Sequence, residues 1–213
     1  MKQALLGGVA ALTLCTLGLA ASPAMADTNI LPANWDVIQT FGTVGVLRAG
    51  SPWAPGSLAA QSSIVDGAFV TESQQWNIGS WWWDEDPSVN SGAVTTTIHL
   101  NSQFTIDRFV VQADNNDTYL LEYWDGASWL NAWTAPAIGG FGLETRDSGA
   151  LGPFTTDFLR FTATSGDNYY SVSEIQAFGH SASAPEPGAW ALMILGFGGV
   201  GWAMRRRGVT AIA

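Results

Sequence analysis

The chain has 213 residues, 47% of them hydrophobic and only 12% charged, with 24 glycines, 11 tryptophans and a single cysteine. Eight basic residues stand against eighteen acidic ones, a formal net charge of −10, and Lys2 is the only lysine. That balance excludes a nucleic-acid binder, because neutralising phosphates takes a basic face.

At the N-terminus, Met1-Lys2 precedes an uncharged stretch from Gln3 to Ala21, and Ala24-Met25-Ala26 gives a small-x-small pattern ahead of Asp27. Residues 1–26 read as a secretory signal peptide, with a retained N-terminal helix as the alternative. Cys15 follows Leu14 in the middle of the apolar region, whereas a lipid-attachment site needs a small residue there, so lipidation is not expected. Cleavage would leave no cysteine, and an exported domain without disulfides must rely on its core or on bound ions. Residues 27–187 hold every acid but only Arg48, Arg108, Arg146 and Arg160 as bases. This fits solubility outside the cell and an affinity for divalent cations. The segment is long enough for one domain with a sizeable core.

In chain order, Trp35–Phe41 alternates as a first strand, and Gly50–Gly56 is a loop by its prolines and glycines. Residues 27–57 are a strand and a loop whose membership of the main domain the pattern leaves open. Val65-Asp66-Gly67 marks a turn. Strands rich in β-branched residues follow at Val94–Leu100 and Phe104–Ala113. Tyr119–Trp124 and Ser128–Trp133 flank Asp125-Gly126, a pair that suits a two-residue hairpin turn. Gly139–Gly142 reads as a flexible loop, and Phe158–Ala163 and Ser171–Phe178 as closing strands. Helical periodicity and internal repeats are absent. The expectation is an all-β sandwich over residues 58–179, with a linker at 180–187.

Two separated segments suggest an ion site. Ser63 to Thr71 supplies Asp66, a glycine turn and a hydroxyl, and Ser173-Glu174 adds a second carboxylate; calcium wants six to eight oxygens of this kind. The plain alternative is an Asp-Gly turn and a surface glutamate. Trp81-Trp82-Trp83 precedes Asp84-Glu85-Asp86. Neighbours in an extended segment point to opposite faces, so three indoles cannot enter one core. At least one is expected to be exposed or to cover a loop, where it could stack on a sugar ring. The rival readings are burial under the sandwich or a dimer contact. Arg108 and Arg160 read as structural partners of carboxylates, and Arg146, beside the glycine-rich loop, as a ligand candidate. Asp114-Asn115-Asn116-Asp117 has the composition of a calcium loop but lacks an EF-hand's glycine and distal glutamate, so a polar turn is expected. No nucleophile elbow, zinc spacing or phosphate loop is present, and His99 and His180 fall on a strand and in the linker. Carboxylates such as Asp84 and Asp86 could serve a glycosidase, though acids are frequent here.

Taken in order, Val65-Asp66-Gly67, Thr71 and Trp76, Thr97 to Leu100, Ile106 to Val111, Tyr119 to Gly126, Trp129, Phe158 to Phe161, and Ser173-Glu174-Ile175-Gln176-Ala177-Phe178-Gly179 resemble the discoidin family. This is the coagulation factor 5/8 C-terminal type of galactose-binding-like β-sandwich, and the resemblance covers about residues 58–179. Ile98-His99-Leu100-Asn101 departs from the family's frequent Val-Asp-Leu-Gly. The resemblance implies a structural calcium ion held by the Ser63 carbonyl, Asp66, the Ala68 carbonyl, Thr71, the Ser173 carbonyl and Glu174; Ala68 can offer only its backbone. It also implies carbohydrate binding, with Trp81, Trp82, Trp83 and Arg146 as the candidate ligand-binding residues.

The C-terminal tail runs Pro185-Glu186-Pro187, then Trp190, then an uncharged stretch to Met204 and Arg205-Arg206-Arg207. The prolines hold their segment extended. Residues 188–204 as a helix reach about 25 Å, a short transmembrane span with interfacial Trp190 and Trp202, and the arginines act as a cytoplasmic stop. The alternative is a buried core helix with a basic tail. The tail resembles the PEP-CTERM sorting signal of Gram-negative bacteria. That resemblance implies export, a transient inner-membrane anchor, and processing by an exosortase-type enzyme, leaving the protein in the envelope or outside the cell. The combined expectation is a non-catalytic exported protein that binds carbohydrate such as an exopolysaccharide. Its rivals are an adhesive protein-binding module without a sugar site and an unrecognised polysaccharide hydrolase.

Overall fold

The computed structural model describes residues 28–182 and 187–207. The signal peptide and Pro185-Glu186 lie outside the described residues. The chain divides into two units, one of which is Ala26–Ala184.

That unit is all-β. Its strands are β1 (Thr28–Asn29), β2 (Trp35–Phe41), β3 (Trp81–Asp84), β4 (Thr95–Asp114), β5 (Thr118–Trp124), β6 (Trp129–Ala135), β7 (Leu143–Asp147), β8 (Phe154–Ser165) and β9 (Tyr169–Ser181). One helical turn, α1 (Leu31–Asn34), and a 3-10 turn at Gln61–Val65 interrupt them. All named pairings are antiparallel. Strand β4 belongs to two layers. Its first half lies between β2 and β8, and β5 and β6 continue that layer outward. Its second half lies between β9 and β7, with β1 and β3 on the far side of β9. Exposed Asn101-Ser102-Gln103 and a register shift between His99 and Phe104 mark the crossing. A polar trio in mid-strand lets the ladder turn without stranding apolar side chains in water. The two strands expected at Val94–Leu100 and Phe104–Ala113 are therefore one.

Alternation decides which side chains enter the core. Ile98 and Leu100 from β4, Tyr119 and Leu121 from β5, and Leu159 and Phe161 from β8 are all buried in one cluster, together with Phe109, Val111, Val172 and Ile175 from the second layer. The sheet begins before residue 58, because β1 pairs with β9 and β2 with β4. Asp125-Gly126 does open a hairpin, but the loop has four residues: Trp124 faces Trp129, Asp125 N–H donates to the Ser128 carbonyl, and Asp125 Oδ1 accepts from the Ala127 and Ser128 amides. The aspartate side chain supplies the bonds a tighter turn would have made itself. Strand β7 was not expected, since Leu-Glu-Thr-Arg-Asp shows no apolar alternation; it exists by pairing with β4.

The tail forms α2 (Pro187–Arg207). Its large apolar side chains are exposed, among them Leu192, Ile194, Leu195 and Phe197. Among the described residues, however, no helix is long and apolar enough to cross a membrane. The expected transmembrane span at 188–204 is thus corrected to an exposed apolar helix. Gly196, Gly198, Gly199 and Gly201 dilute its apolar surface, because glycine adds almost no side chain to transfer.

Candidate functional site

The tryptophan triplet sets up the site by being buried. In β3, Trp81 and Trp83 enter the main core, while Trp82 points the other way into a small cluster with Trp76 and Tyr169. Both faces of the strand are covered, so all four residues of β3 are buried. Alternation held, yet no indole of the triplet reaches water: the chain from Thr43 to Ser57 crosses over the outside of β3 as a strap. Trp81, Trp82 and Trp83 are consequently corrected from ligand platform to core.

The strap is fastened at several points. Gly45 N–H donates to the Trp82 carbonyl, and Asn90 bonds both the amide and the carbonyl of Thr43. The Arg48 guanidinium grips the fully buried Asp84 carboxylate, with Nη2 to Oδ1 at 2.6 Å and Nε to Oδ2 at 2.9 Å, and the Arg48 amide adds a bond at 2.8 Å. The same guanidinium lies 4.2 Å from the centre of the Tyr169 ring. Burial pushes the Asp84 carboxyl up, but these hydrogen bonds and the Arg48 charge outweigh it and hold the group below its usual range.

Beyond Arg48 the strap carries Trp53. Its indole is 38% exposed and meets Trp76 edge-on, with ring centroids 6.2 Å apart. Trp76 in turn meets Trp82 at 5.7 Å. Trp53, Pro55, Gln75, Asn77 and Ile78 line an open depression of about 240 Å³ that contains no charged residue. Asn77 is buried and donates from Nδ2 to the Ala54 carbonyl, which pins the strap's tip. Gly56 packs so closely on Asn77 that a Cβ would lie 1.8 Å from its carbonyl oxygen, so no other residue fits there. An exposed ring on a fixed loop, beside amides and without charge, can stack on an uncharged ring bearing hydroxyls. The sequence signal was a lone tryptophan between prolines in a glycine-bounded loop, where no strand can turn it inward.

Arg146 is also corrected. It lies in β7, not in the loop, and is buried with its guanidinium donating to the carbonyls of Ala113, Asp114 and Glu144. Burial lowers its affinity for the proton, and the neighbouring Tyr119, Asp117 and Asp114 oppose that. The Asp114–Asp117 segment is a polar turn. Burial pushes Asp114 up to about 7 and Asp117 up to about 8. Asp117 accepts from the Tyr119 hydroxyl and from the Asp167 amide, tying the β4–β5 turn to the β8–β9 turn.

The two halves of the expected ion site do meet. Glu174 is fully buried, and its Oε1 accepts from Gly67 N–H at 3.0 Å. Its Oε2 is buried without a hydrogen-bond partner. Burial, and next the nearby Asp66 carboxylate, push Glu174 up to about 8. Asp66 Oδ1 accepts from the Ala68 amide, and Ser63 caps its own turn through Ala60. Ser173 is the extra residue of a bulge between the Gln112–Glu174 and Ala113–Val172 pairs, which frees its backbone from the ladder with β4. Thr71 is exposed, with its carbonyl accepting from the Gln74 amide. Only two carboxylates converge; among the described residues, no group of three or more His, Cys, Asp or Glu is placed to hold a metal ion.

Residues 183–207 match the family model of the PEP-CTERM protein-sorting motif. The tail carries that motif. It marks the chain for export and sorting to the envelope or beyond. Solved structures similar to the chain include the following three. A family 32 carbohydrate-binding module from Clostridium perfringens NanJ, solved with galactose, has 13% identity and a TM-score of 0.43, covering 66% of this chain and 93% of that one. The module from Streptococcus pneumoniae EndoD has 15% identity and a TM-score of 0.44, covering 70% and 98%. The C-terminal domain of a Bacteroides fragilis chitobiase has 11% identity and a TM-score of 0.49, covering 74% and 99%. No curated protein matches the chain.

Proposed function

We propose that the protein is a non-catalytic surface protein that binds neutral carbohydrate in the Trp53 depression, after an exosortase-type enzyme has processed its sorting tail. The observation that carries this reading is the Trp53 indole, exposed at the rim of an uncharged hollow yet fixed from below by Trp76. A sugar presents an apolar ring face and a rim of hydroxyls, which an indole and the nearby Gln75 amide complement. The discoidin-like residue pattern supports the same substrate class, and an extracellular polysaccharide is the natural partner for an exported protein. A glycosidase reading loses its best carboxyl pair, because Asp84 and Asp86 are both engaged by Arg48.

A structural calcium ion fits the Asp66–Glu174 junction. A buried carboxylate oxygen without a partner is costly unless it is protonated or meets a cation. Asp66 and Glu174 would hold the ion with the Thr71 hydroxyl and the carbonyls of Ser63, Ala68 and Ser173. Bound there, it would join the opening loop to the last strand in place of a disulfide.

The test is tryptophan fluorescence of the full chain in mild detergent, titrated with galactose, N-acetylgalactosamine, glucose and fucose, for the wild type and Trp53→Ala. At least one sugar should saturate the wild type, and the substitution should weaken it tenfold or more. Equal binding by both proteins would move the sugar site elsewhere, and no response to any sugar would favour an adhesive, protein-binding role.

A further inference from the structure

We propose that the outer face of the first layer is a second carbohydrate surface, where a row of four rings and a valine crossing five strands takes an extended, neutral glycan chain. The register puts the row together. Val37 on β2 faces His99 on β4, and His99 faces Phe158 on β8. Trp124 on β5 follows one position beyond the Tyr123–Leu159 pair, and it faces Trp129 on β6. Their inward neighbours Ile98 and Leu159 are buried, and Tyr123, inward of Trp124, is half-buried against the core, so alternation turns the row outward. The rings touch in two pairs, His99 and Phe158 with centroids 4.2 Å apart and Trp124 and Trp129 5.6 Å apart, and the Arg160 guanidinium lies over Trp129, 4.4 Å from its ring centre.

A second row runs parallel to the first. Gln39, Thr97, Arg160, Glu122 and Asn131 are successive partners across the same five strands. Its two charges satisfy each other, with Arg160 Nε and Nη2 on the Glu122 carboxylate at 2.6 and 2.7 Å. At the end of the ring row His99 Nδ1 lies 2.5 Å from Asp36 Oδ1. These two rows therefore present rings beside amides and a hydroxyl, with their one arginine paired to a carboxylate. On a chain of net charge −10, an acidic polymer would be repelled and a basic one would find no partner here. A neutral polyhydroxylated chain fits.

The spacing agrees. Adjacent strands lie about 4.8 Å apart, close to the length that one pyranose ring occupies along a glycan, so a chain laid across the strands meets about one side chain of the row per sugar. This surface shares no residue with the Trp53 depression and does not depend on it. The hollow suits a terminal or single sugar, and the flat face suits a polymer.

Affinity electrophoresis in native gels tests this, with the full chain in mild detergent and mixed-linkage β-glucan, galactomannan or xylan cast into the gel. The wild type should be retarded by at least one polymer, and the double variant Phe158→Ala/Trp124→Ala should lose the retardation tenfold or more. Val37→Glu changes a side chain that is 52% exposed, leaves the core intact, and should weaken retardation several-fold. Trp53→Ala should retain the polymer response even where it loses the monosaccharide response, which separates the two sites. Unretarded wild type, or retardation unchanged in both face variants, overturns the proposal. So does sedimentation showing that Val37→Glu splits a wild-type dimer, since the face would then be a contact between copies.

Discussion

Trp53 stands almost perpendicular to Trp76, with an interplanar angle of 84°, so the buried ring meets the exposed one in a T and does not stack flat on it. This makes Trp76 a positioning residue. Trp76→Leu should weaken monosaccharide binding by several-fold although Trp53 is intact. It should also lower the melting midpoint, because Trp76 packs on Trp82 and Tyr169; truncating a buried tryptophan to alanine costs about 3–5 kcal/mol, and leucine less. Trp53→Ala should do the reverse, removing binding with little change in the midpoint. Calorimetry and sugar titration on the two variants separate the effects.

Calcium should raise the melting midpoint, and the rise should depend on pH. Folded Glu174 titrates at about 8, against an ordinary value of 4.5. Between those values the folded state holds a proton that the unfolded chain has released, so stability falls as pH climbs from about 4.5 to about 8. A cation competing for that carboxylate must displace the proton, so its stabilisation should grow across the same window. Melts at pH 5 and pH 8, with calcium and with a chelator, test this. Glu174→Gln should abolish the calcium response while raising the calcium-free midpoint at pH 8.

The β4–β5 turn gives a second pH response that calcium should not touch. Asp114 and Asp117 start from an ordinary value of 3.8 and are raised to about 7 and about 8, chiefly by burial and then, for Asp117, by the charges of Asp114 and Asp167. Their contribution declines between about pH 4 and pH 8 and is level above that. Asp117→Asn should flatten this slope, because an amide keeps the hydrogen-bonding shape without the charge. Midpoints measured in chelator from pH 5 to pH 9 would show it, and an unchanged slope would mean that the turn opens to water.

Releasing the strap should be expensive. Asp84 is fully buried, whereas the Arg48 side chain is 21% exposed. Breaking such a pair from one side costs about 3–5 kcal/mol when both partners are buried, so Asp84→Ala should fall near the lower end. Arg48→Lys should cost less, since an ammonium keeps the charge but not the forked grip. Both should expose Trp82 and Tyr169, and quenching of tryptophan fluorescence by acrylamide would report it. The Asp84 carboxyl sits below 3.8, so its contribution is present above that pH and disappears as the solution is acidified through the folded value.

The strands were legible wherever one face meets the core and the other meets water, which is why Trp35–Phe41 shows in the sequence with its observed limits. Strand β7 was hidden because its partners, not its own residues, create it. The tryptophan triplet misled for a related reason. Alternation separates three indoles onto two faces, but nothing local reveals that a strap some thirty residues earlier covers the second face. That information is carried by Arg48 and Asp84, which are 36 positions apart and become partners only after folding. The Asp66–Glu174 junction was legible as two oxygen-bearing segments with a plain turn as the alternative, and nothing local says that they meet, since the contact spans 107 positions.

The last strand is also a central one. Strand β9 hydrogen-bonds to β1, β3 and β4, so the second layer has no middle until residues 169–181 are available. A chain emerging from its N-terminus must therefore wait, with β1 and the tryptophan triplet unpaired, until nearly the whole domain has been delivered. The sorting motif begins at residue 183, directly after that strand. Completion of the domain and arrival of the sorting signal thus fall at the same moment of synthesis, and a stall or truncation a dozen residues short would leave an adhesive intermediate rather than a shortened fold.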